Sequence, residues 1–323
     1  MFSADVLKID AAAVAESIQR AIVEQVRGTL RRKGAVLGLS GGIDSSVVAA
    51  LCARALGPER VLGLFMPERD SSDDALSLGK LLAETLGIPT ELENIKPALD
   101  GLGCYRRQDE AIRQVFADYQ SGDKFKITLP SILEGNRLNV FRLTIQKPGG
   151  ELKDSRMPPA AYLQLVAATN FKQRVRKMME YYHADRLNYA VAGTPNRLEY
   201  DQGFFVKNGD GSADLKPIAH LYKSQVYQLA EHLGVPKEIC GRPPTTDTYS
   251  MPQTQEEFYF ALPYDKMDLC LYAMNHAVPA ADVAAAIGIT SAQVEIVFKD
   301  IESKRRTTKY LHLGPILVEP LHG

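Results

Sequence analysis

Seven consecutive residues, Ser40-Gly41-Gly42-Ile43-Asp44-Ser45-Ser46, combine small side chains, hydroxyls and one carboxylate in a pattern suited to a polyphosphate. Gly41 and Gly42 let backbone amides approach a phosphate with no side chain between them, and a helix opening just after them presents free N–H groups to an anion. The hydroxyls of Ser40, Ser45 and Ser46 add further donors. Asp44 is out of place beside phosphates unless a cation lies between, so the loop implies ATP with Mg²⁺ held in part by Asp44. No Gly-Lys-Ser/Thr follows, which excludes a Walker loop, and the glycine spacing does not match the dinucleotide fingerprint. The competing reading, an ordinary Gly-Gly turn capped by serine and aspartate, loses to the strand and helix on either side. The six histidines are dispersed, and no Ser/His/Asp or Cys/His arrangement calls for a nucleophilic side chain.

The loop has to be positioned by its neighbours. Ala35 to Leu39 is a short apolar run between glycines and reads as a buried strand, and a helix follows to about Leu56. Before it, residues 10 to 31 carry Ala13, Val14, Ile18, Ile22 and Val26 at helical spacing, an amphipathic opening helix. The alternation repeats with Val61 to Met66 as strand, Ser72 to Leu86 as helix and Thr90 to Ile95 as strand. The expectation is an α/β fold with a doubly wound parallel sheet, Rossmann-like, flanked by helices. Residues 101–158 break the rhythm with Arg106, Arg107, Lys124, several glycines and Pro158-Pro159, and read as an inserted excursion. Its reading stays open between a lid, a partner-docking surface, a reshaped acceptor pocket and a tolerated surface insertion. A helix resumes over about 160–183, Asn188 to Ala192 reads as a strand, and the sheet is expected to continue beyond Gly193. Segments 254–262, 265–276, 279–287 and 290–305 read as a helical C-terminal end, all within one domain spanning 1–323.

Bulk properties exclude some classes. The 38 basic side chains nearly cancel 39 acidic ones, a net charge of -1 that argues against a polyanion-binding protein. No apolar run approaches the ~20 residues needed to span a bilayer, and the N-terminus lacks the order of a secretory signal. A soluble, cytoplasmic protein with no membrane or nucleic-acid partner is expected. Cys52, Cys104, Cys240 and Cys270 are too scattered for a metal or redox pair and read as reduced thiols.

SGGIDSS resembles the loop of the ATP pyrophosphatases, which hold the β and γ phosphates and release them as pyrophosphate. That resemblance implies AMP transfer. Within this class the second half is similar to the NAD synthetases of the ammonia-dependent type. The matching blocks are Asn170 to Arg176, Gly193-Thr194-Pro195-Asn196-Arg197-Leu198-Glu199, Gly203 to Asp214, Pro217 to Lys223 and Pro244-Thr245-Thr246-Asp247. Together with the loop they cover roughly residues 10–100 and 160–308.

The resemblance implies site residues. Glu199 would join Asp44 as a second carboxylate on magnesium, and Lys223 and Thr245 would hold the leaving pyrophosphate. Arg174 and Thr194, with Ser40, Gly41, Gly42, Asp44, Ser45 and Ser46, would bind ATP. Arg176, Phe204, Lys207, Asp210 and Asp214 would bind the dinucleotide, with Phe204 and Phe205 as an aromatic wall for the pyridine ring. Met66 to Ala75 would lie near the base and ribose of ATP, although Ser72-Asp73-Asp74 is also a plain helix start. The implied reaction is amidation of deamido-NAD to NAD through an acyl-adenylate. Ammonia is the nitrogen donor, either free or delivered by a separate glutamine amidotransferase, and the implied assembly is a homodimer.

Two rival readings remain. One is a ligase of the same loop class acting on another carboxylate. The other treats residues 282–294, followed by Lys304-Arg305-Arg306, as a helix-turn-helix of an ATP-responsive DNA-binding regulator. Glu295 and Asp300 and the scarcity of basic side chains on its second helix weigh against that. In the favoured reading Lys304 to Arg306 approach substrate phosphates or the partner subunit.

Overall fold

The structure is a computed structural model, and it describes residues 2–120, 122–129, 141–243, 248–260 and 262–319. In chain order the elements are α1 (Ala11–Val23), β1 (Ala35–Gly38), α2 (Ile43–Leu56), β2 (Val61–Phe65), α3 (Asp73–Leu86), β3 (Thr90–Leu92), α4 (Lys96–Gly101), α5 (Cys104–Arg113) and β4 (Lys124–Thr128). They continue with β5 (Arg142–Gln146), β6 (Leu152–Arg156), α6 (Pro159–Leu187), β7 (Ala190–Val191), α7 (Arg197–Gln202), α8 (Lys223–Leu233), α9 (Lys237–Cys240), α10 (Tyr264–Asn275), α11 (Ala280–Ile287) and α12 (Ser291–His312).

The strand and helix rhythm forms a parallel sheet ordered β3-β2-β1-β7. Strand geometry sends alternate side chains to opposite faces. Ala35, Leu37, Leu39, Val61 and Phe65 therefore join a core with α1, α2 and α8. Val36, Leu62, Leu64 and Met66 join the opposite core, against α6 and the α4–α5 segment. With both faces covered, β1, β2 and β7 have to be apolar throughout, as they read, whereas the edge strand β3, Thr-Glu-Leu, is exposed.

Several boundaries differ from the sequence expectation. The opening helix keeps α geometry only to Val23 and continues as a π-type turn over Glu24–Thr29. Among the described residues the sheet does not continue past Gly193. Ala192 makes a single bridge to Leu215, because the polar Gly-Asp-Gly-Ser stretch supplies turns in place of a strand. Segment 254–262 holds a π-type turn, Glu256–Phe260, not a regular helix.

Much of the excursion has regular structure. After α5, strands β4, β5 and β6 form an antiparallel sheet in sequence order. Phe125, Ile127, Leu143 and Ile145 point inward and pack with Ala161 and Leu165 of α6. The free edge of β4 is tied to the segment beyond residue 248. Phe125 N donates to Ser250 Oγ at 2.9 Å, Met251 N to Phe125 O at 3.1 Å and Leu129 N to Glu257 O at 3.2 Å.

Helices α7, α10, α11 and α12 build a further core around Met267, Leu271, Val294, Val297 and Ile301. Two of the three side chains in the basic run are paired within the chain, while Arg306 stays exposed. Lys304 Nζ donates to Tyr259 O at 2.7 Å and pairs with Asp300 at 2.6 Å, and Arg305 pairs with Asp201 at 2.5 Å. Neither side chain is left for phosphates of substrate or duplex, because packing α12 against α7 brings acids and carbonyls to them first. Among the described residues no single helix is long and apolar enough to cross a membrane.

Gly203 sits where α7 meets α12. Its φ of 74° lies in the left-handed region, and a Cβ there would overlap the Thr308 side chain. Gly203→Ala is expected to destabilise the protein by about 2 kcal/mol, read as a lowered midpoint in urea unfolding; an unchanged midpoint would mean that α12 yields freely.

Candidate active site

The phosphate loop lies at the carboxyl end of β1, where open α/β sheets bind ligands. Gly42 is the N-cap of α2 and has no side chain to occupy the first amides of that helix. Gly41 adopts φ 70°, and a Cβ there would come within 2.6 Å of Ala75 O, so the turn needs glycine. Ser40 Oγ lies 3.2 Å from Ser45 Oγ. Ser46 Oγ donates to Gly42 O at 2.8 Å from a buried position and helps to close the turn.

Above the loop is a cavity of about 600 Å³. Of the residues expected at the site, Ser40, Gly42, Asp44, Ser45, Arg174, Arg176, Thr194, Glu199, Phe204, Lys207, Asp210 and Lys223 line it. Met66, Ser72 and Ala75 do so as well, on the side expected for the ATP base. Thr245 lies outside the described residues. Asp214 stands apart from the lining, its carboxylate accepting from Val191 N at 2.7 Å and Tyr181 Oη at 3.3 Å. Lys207 Nζ donates to the carbonyls of Tyr310 and Leu313, each at 2.8 Å, and so satisfies the end of α12. Arg174 Nε donates to Lys207 O at 3.3 Å. Phe204 stacks on Tyr259 at 4.7 Å, whereas Phe205 lies 5.1 Å from His312.

The polar centre is Asp44, Lys223 and Glu199. Lys223 Nζ donates to Asp44 Oδ2, and Asn196 Nδ2 donates to Asp44 Oδ1 at 3.2 Å. Lys223 is positioned from α10: Asp268 accepts the amides of Lys223 at 3.2 Å and Ser224 at 2.6 Å, capping the start of α8. Burial disfavours the Lys223 charge, but Asp44 and Glu199 outweigh it and raise its pKa. Glu199 is oriented by a capping box with Asn196 and by Gln255 Nε2, which donates to Glu199 Oε1 at 3.0 Å. Desolvation and then the charge of Asp44 push the Glu199 carboxyl up to about 8.

Asp44 and Glu199 share one buried site whose ammonium, Lys223, pairs with Asp44, and a divalent cation there would favour the ionised form of both carboxylates. Two carboxylates with polyphosphate oxygens form a donor set suited to magnesium. Among the described residues no group of three or more His, Cys, Asp or Glu side chains gathers, so phosphate and water would supply the other ligands.

The sign of the pH effect follows from this geometry. Folded Glu199 keeps its proton to about 8, against 4.5 as its ordinary value, so folding takes up a proton between those limits. Stability without metal should therefore fall as pH rises through that window, and Glu199→Gln should flatten the slope. Melting temperatures across the window check this, and equal slopes in both proteins would exclude it.

Some residues that shape the site were not anticipated. Lys172, 1 % exposed, donates to Glu68 at 2.9 Å, Asp70 at 2.6 Å and Thr248 O at 2.9 Å, and so pins the loop after β2 to the segment at 248. Asn196 was legible as an N-cap three residues before Glu199. Gln255 carried no comparable signal.

Comparison with known proteins places these features in context. The NAD synthase family matches residues 14–118 and 137–310, and the gap between falls inside the excursion. An NH(3)-dependent NAD(+) synthetase of Mesorhizobium japonicum is 63% identical over 311 residues, covering 96% of this chain and 98% of the relative. One of Rhizobium meliloti is 60% identical over 321 residues, covering 99% and 96%. Among solved structures, the NMN synthetase of Francisella tularensis superposes with a TM-score of 0.65 at 22% identity over 96% of this chain and 99% of that one. The NH3-dependent NAD synthetase of Campylobacter jejuni gives 0.62 at 23% over 96% and 100%. These two structural likenesses speak to the fold alone.

Proposed function

The chain belongs to the NAD synthase family, and on that premise we propose that it amidates the nicotinate carboxylate of deamido-NAD with ammonia, at the expense of ATP. The observation that carries this is the placement of Asp44, Lys223 and Glu199 at the mouth of a phosphate loop. A carboxylate resists ammonia because oxide would have to leave, so it first becomes a mixed anhydride with AMP. The substrate carboxylate attacks the α phosphorus in line with pyrophosphate, which the loop amides, the hydroxyls of Ser40 and Ser45 and the Lys223 ammonium receive as its charge grows. Magnesium on Asp44 and Glu199 would supply Lewis-acid stabilisation of that leaving group. Ammonia then attacks the acyl carbon and AMP departs. No protein nucleophile is needed.

The reading extends to one domain spanning residues 1–323, working in the cytoplasm as a homodimer. The outer face of α6 supports association, since Leu163, Met178 and Tyr182 are all large, apolar in the main and exposed. The decisive assay incubates the protein with ATP, Mg²⁺, deamido-NAD and either ammonium or glutamine, following NAD, AMP and pyrophosphate. Equal amounts of NAD and AMP with ammonium, and none with glutamine, are expected. AMP release with other carboxylates and no NAD would keep the adenylation chemistry and remove deamido-NAD as the acceptor.

A further inference from the structure

Two stretches far apart in the chain line the cavity, the loop after β2 with Met66 and Ser72, and the segment beyond residue 248 with Thr248, Gln255 and Phe258. Residues 66–72 and 248–253 form neither helix nor strand. Ordering such backbone opposes ligand binding unless the protein has already done it. Lys172 on α6 reaches both stretches. An ammonium has three donors, and here all three are used, on Glu68 Oε1 at 2.9 Å, Asp70 Oδ2 at 2.6 Å and Thr248 O at 2.9 Å. The carboxylates belong to the loop and the carbonyl to the segment. The loop is gripped from α5 as well: Tyr105 Oη donates to Glu68 Oε2 at 2.7 Å and accepts from Arg69 N at 3.2 Å, and the Arg69 guanidinium lies 4.0 Å over the Tyr105 ring. The segment is gripped from β4, through Ser250 and Met251. Both α5 and β4 belong to the excursion, and β4 lies between residues 118 and 137, which the family does not match.

We propose that Lys172 is a positioning residue that couples these two stretches, so that the loop after β2 and the segment at 248 order as one unit, with the excursion as the frame that holds them. Stability does not account for the arrangement. The Lys172, Glu68 and Asp70 side chains are 1 %, 0 % and 5 % exposed, and burying three charges forfeits hydration that their attraction returns only in part. An apolar cluster of the same volume would join α6 to the loop at less cost. What charged, directional bonds add is a fixed geometry, because loop and segment are both referred to a single nitrogen. That geometry reaches the polar centre, since the same segment carries Gln255, which donates to Glu199 Oε1 at 3.0 Å. The excursion is thereby a buttress of the site and not a lid or a tolerated insertion. The kinetic consequence of the coupling rests on the proposed reaction, whereas the coupling itself does not.

The test disturbs one stretch and reads the other. Tyr105 bonds to the loop and makes no hydrogen bond to the segment among the described residues. In amide hydrogen exchange without ligands, Tyr105→Phe is expected to speed exchange about tenfold at 66–72 and severalfold at 248–253, with the amides of α2 unchanged. Lys172→Met should speed both stretches, and adding Tyr105→Phe to it should change 248–253 no further, because the route between them is gone. Faster exchange confined to 66–72 in Tyr105→Phe would overturn the coupling, as would full additivity in the double variant. Should Lys172→Met fail to fold, the Tyr105→Phe result decides alone. Kinetics gives a second readout. In Tyr105→Phe the KM values for ATP and deamido-NAD are expected to rise together, about threefold each, with kcat close to native, because the ordering then draws on binding and not on the chemical step. A lowered melting temperature with both KM values unmoved would make the network purely structural and overturn the proposal. If the native protein releases no AMP with deamido-NAD, the reading of function falls, and the exchange measurement still decides the coupling.

Discussion

Asp44→Asn is expected to lower NAD and AMP formation together by about a thousandfold, on the order of 4 kcal/mol of transition-state stabilisation. The side chain keeps its shape, so the loop should still form, with Asn196 remaining within reach. What is lost is the negative charge that faces Lys223 and joins Glu199 in the site. Because adenylation precedes amidation in the proposed reaction, both products should fall in the same ratio, while ATP binding should weaken less than turnover. Steady-state rates of both products read this directly. If the variant retained more than a tenth of native activity, the carboxylate would not be at the phosphates during reaction.

Lys223→Ala should combine a catalytic with a structural loss. The ammonium is 2 % exposed against Asp44 at 15 %, so removing it leaves a largely buried carboxylate without its cation, at a cost of about 3 kcal/mol in stability. Turnover should fall by roughly a hundredfold or more from loss of the charge proposed to meet the leaving pyrophosphate. The two effects separate by experiment. Unfolding in urea reports the first, and kcat at saturating ATP, measured where the variant is fully folded, reports the second. Saturating ATP with Mg²⁺ should restore part of the stability, since ligand binds only the folded state. A variant with native kcat but a lowered midpoint would make Lys223 a purely structural partner of Asp44.

Local chemistry was legible where it is continuous along the chain. The Ser40–Ser46 loop announces itself because glycine freedom, hydroxyl donors and a helix start all fall within seven residues. The parallel sheet was legible because strands covered on both faces have to be apolar at every position, as Val61 to Phe65 are. The antiparallel sheet was less so. In β4 and β5 only two apolar residues per strand mark the period, and β6, Leu-Lys-Asp-Ser-Arg, has no inward apolar row, so its conformation comes from pairing with β5. In the basic run at 304–306 charge is visible in the sequence, but Asp300 and Asp201, which pair with Lys304 and Arg305, are visible only after α12 packs.

The sequence by itself determined the loop with Asp44 and the βα order that carries it, because backbone propensity and side-chain chemistry are local properties, whereas Glu199 and Lys223 came into view only through the resemblance to the NAD synthetases. Only the tertiary structure decided that Lys223 pairs with Asp44 across 179 positions, that Asp268 holds Lys223 in place, and that Gln255 orients Glu199. Such contacts depend on how the C-terminal helices dock onto the sheet. That docking is set by the summed burial of many apolar side chains, and no spacing in the sequence encodes which polar groups it brings together.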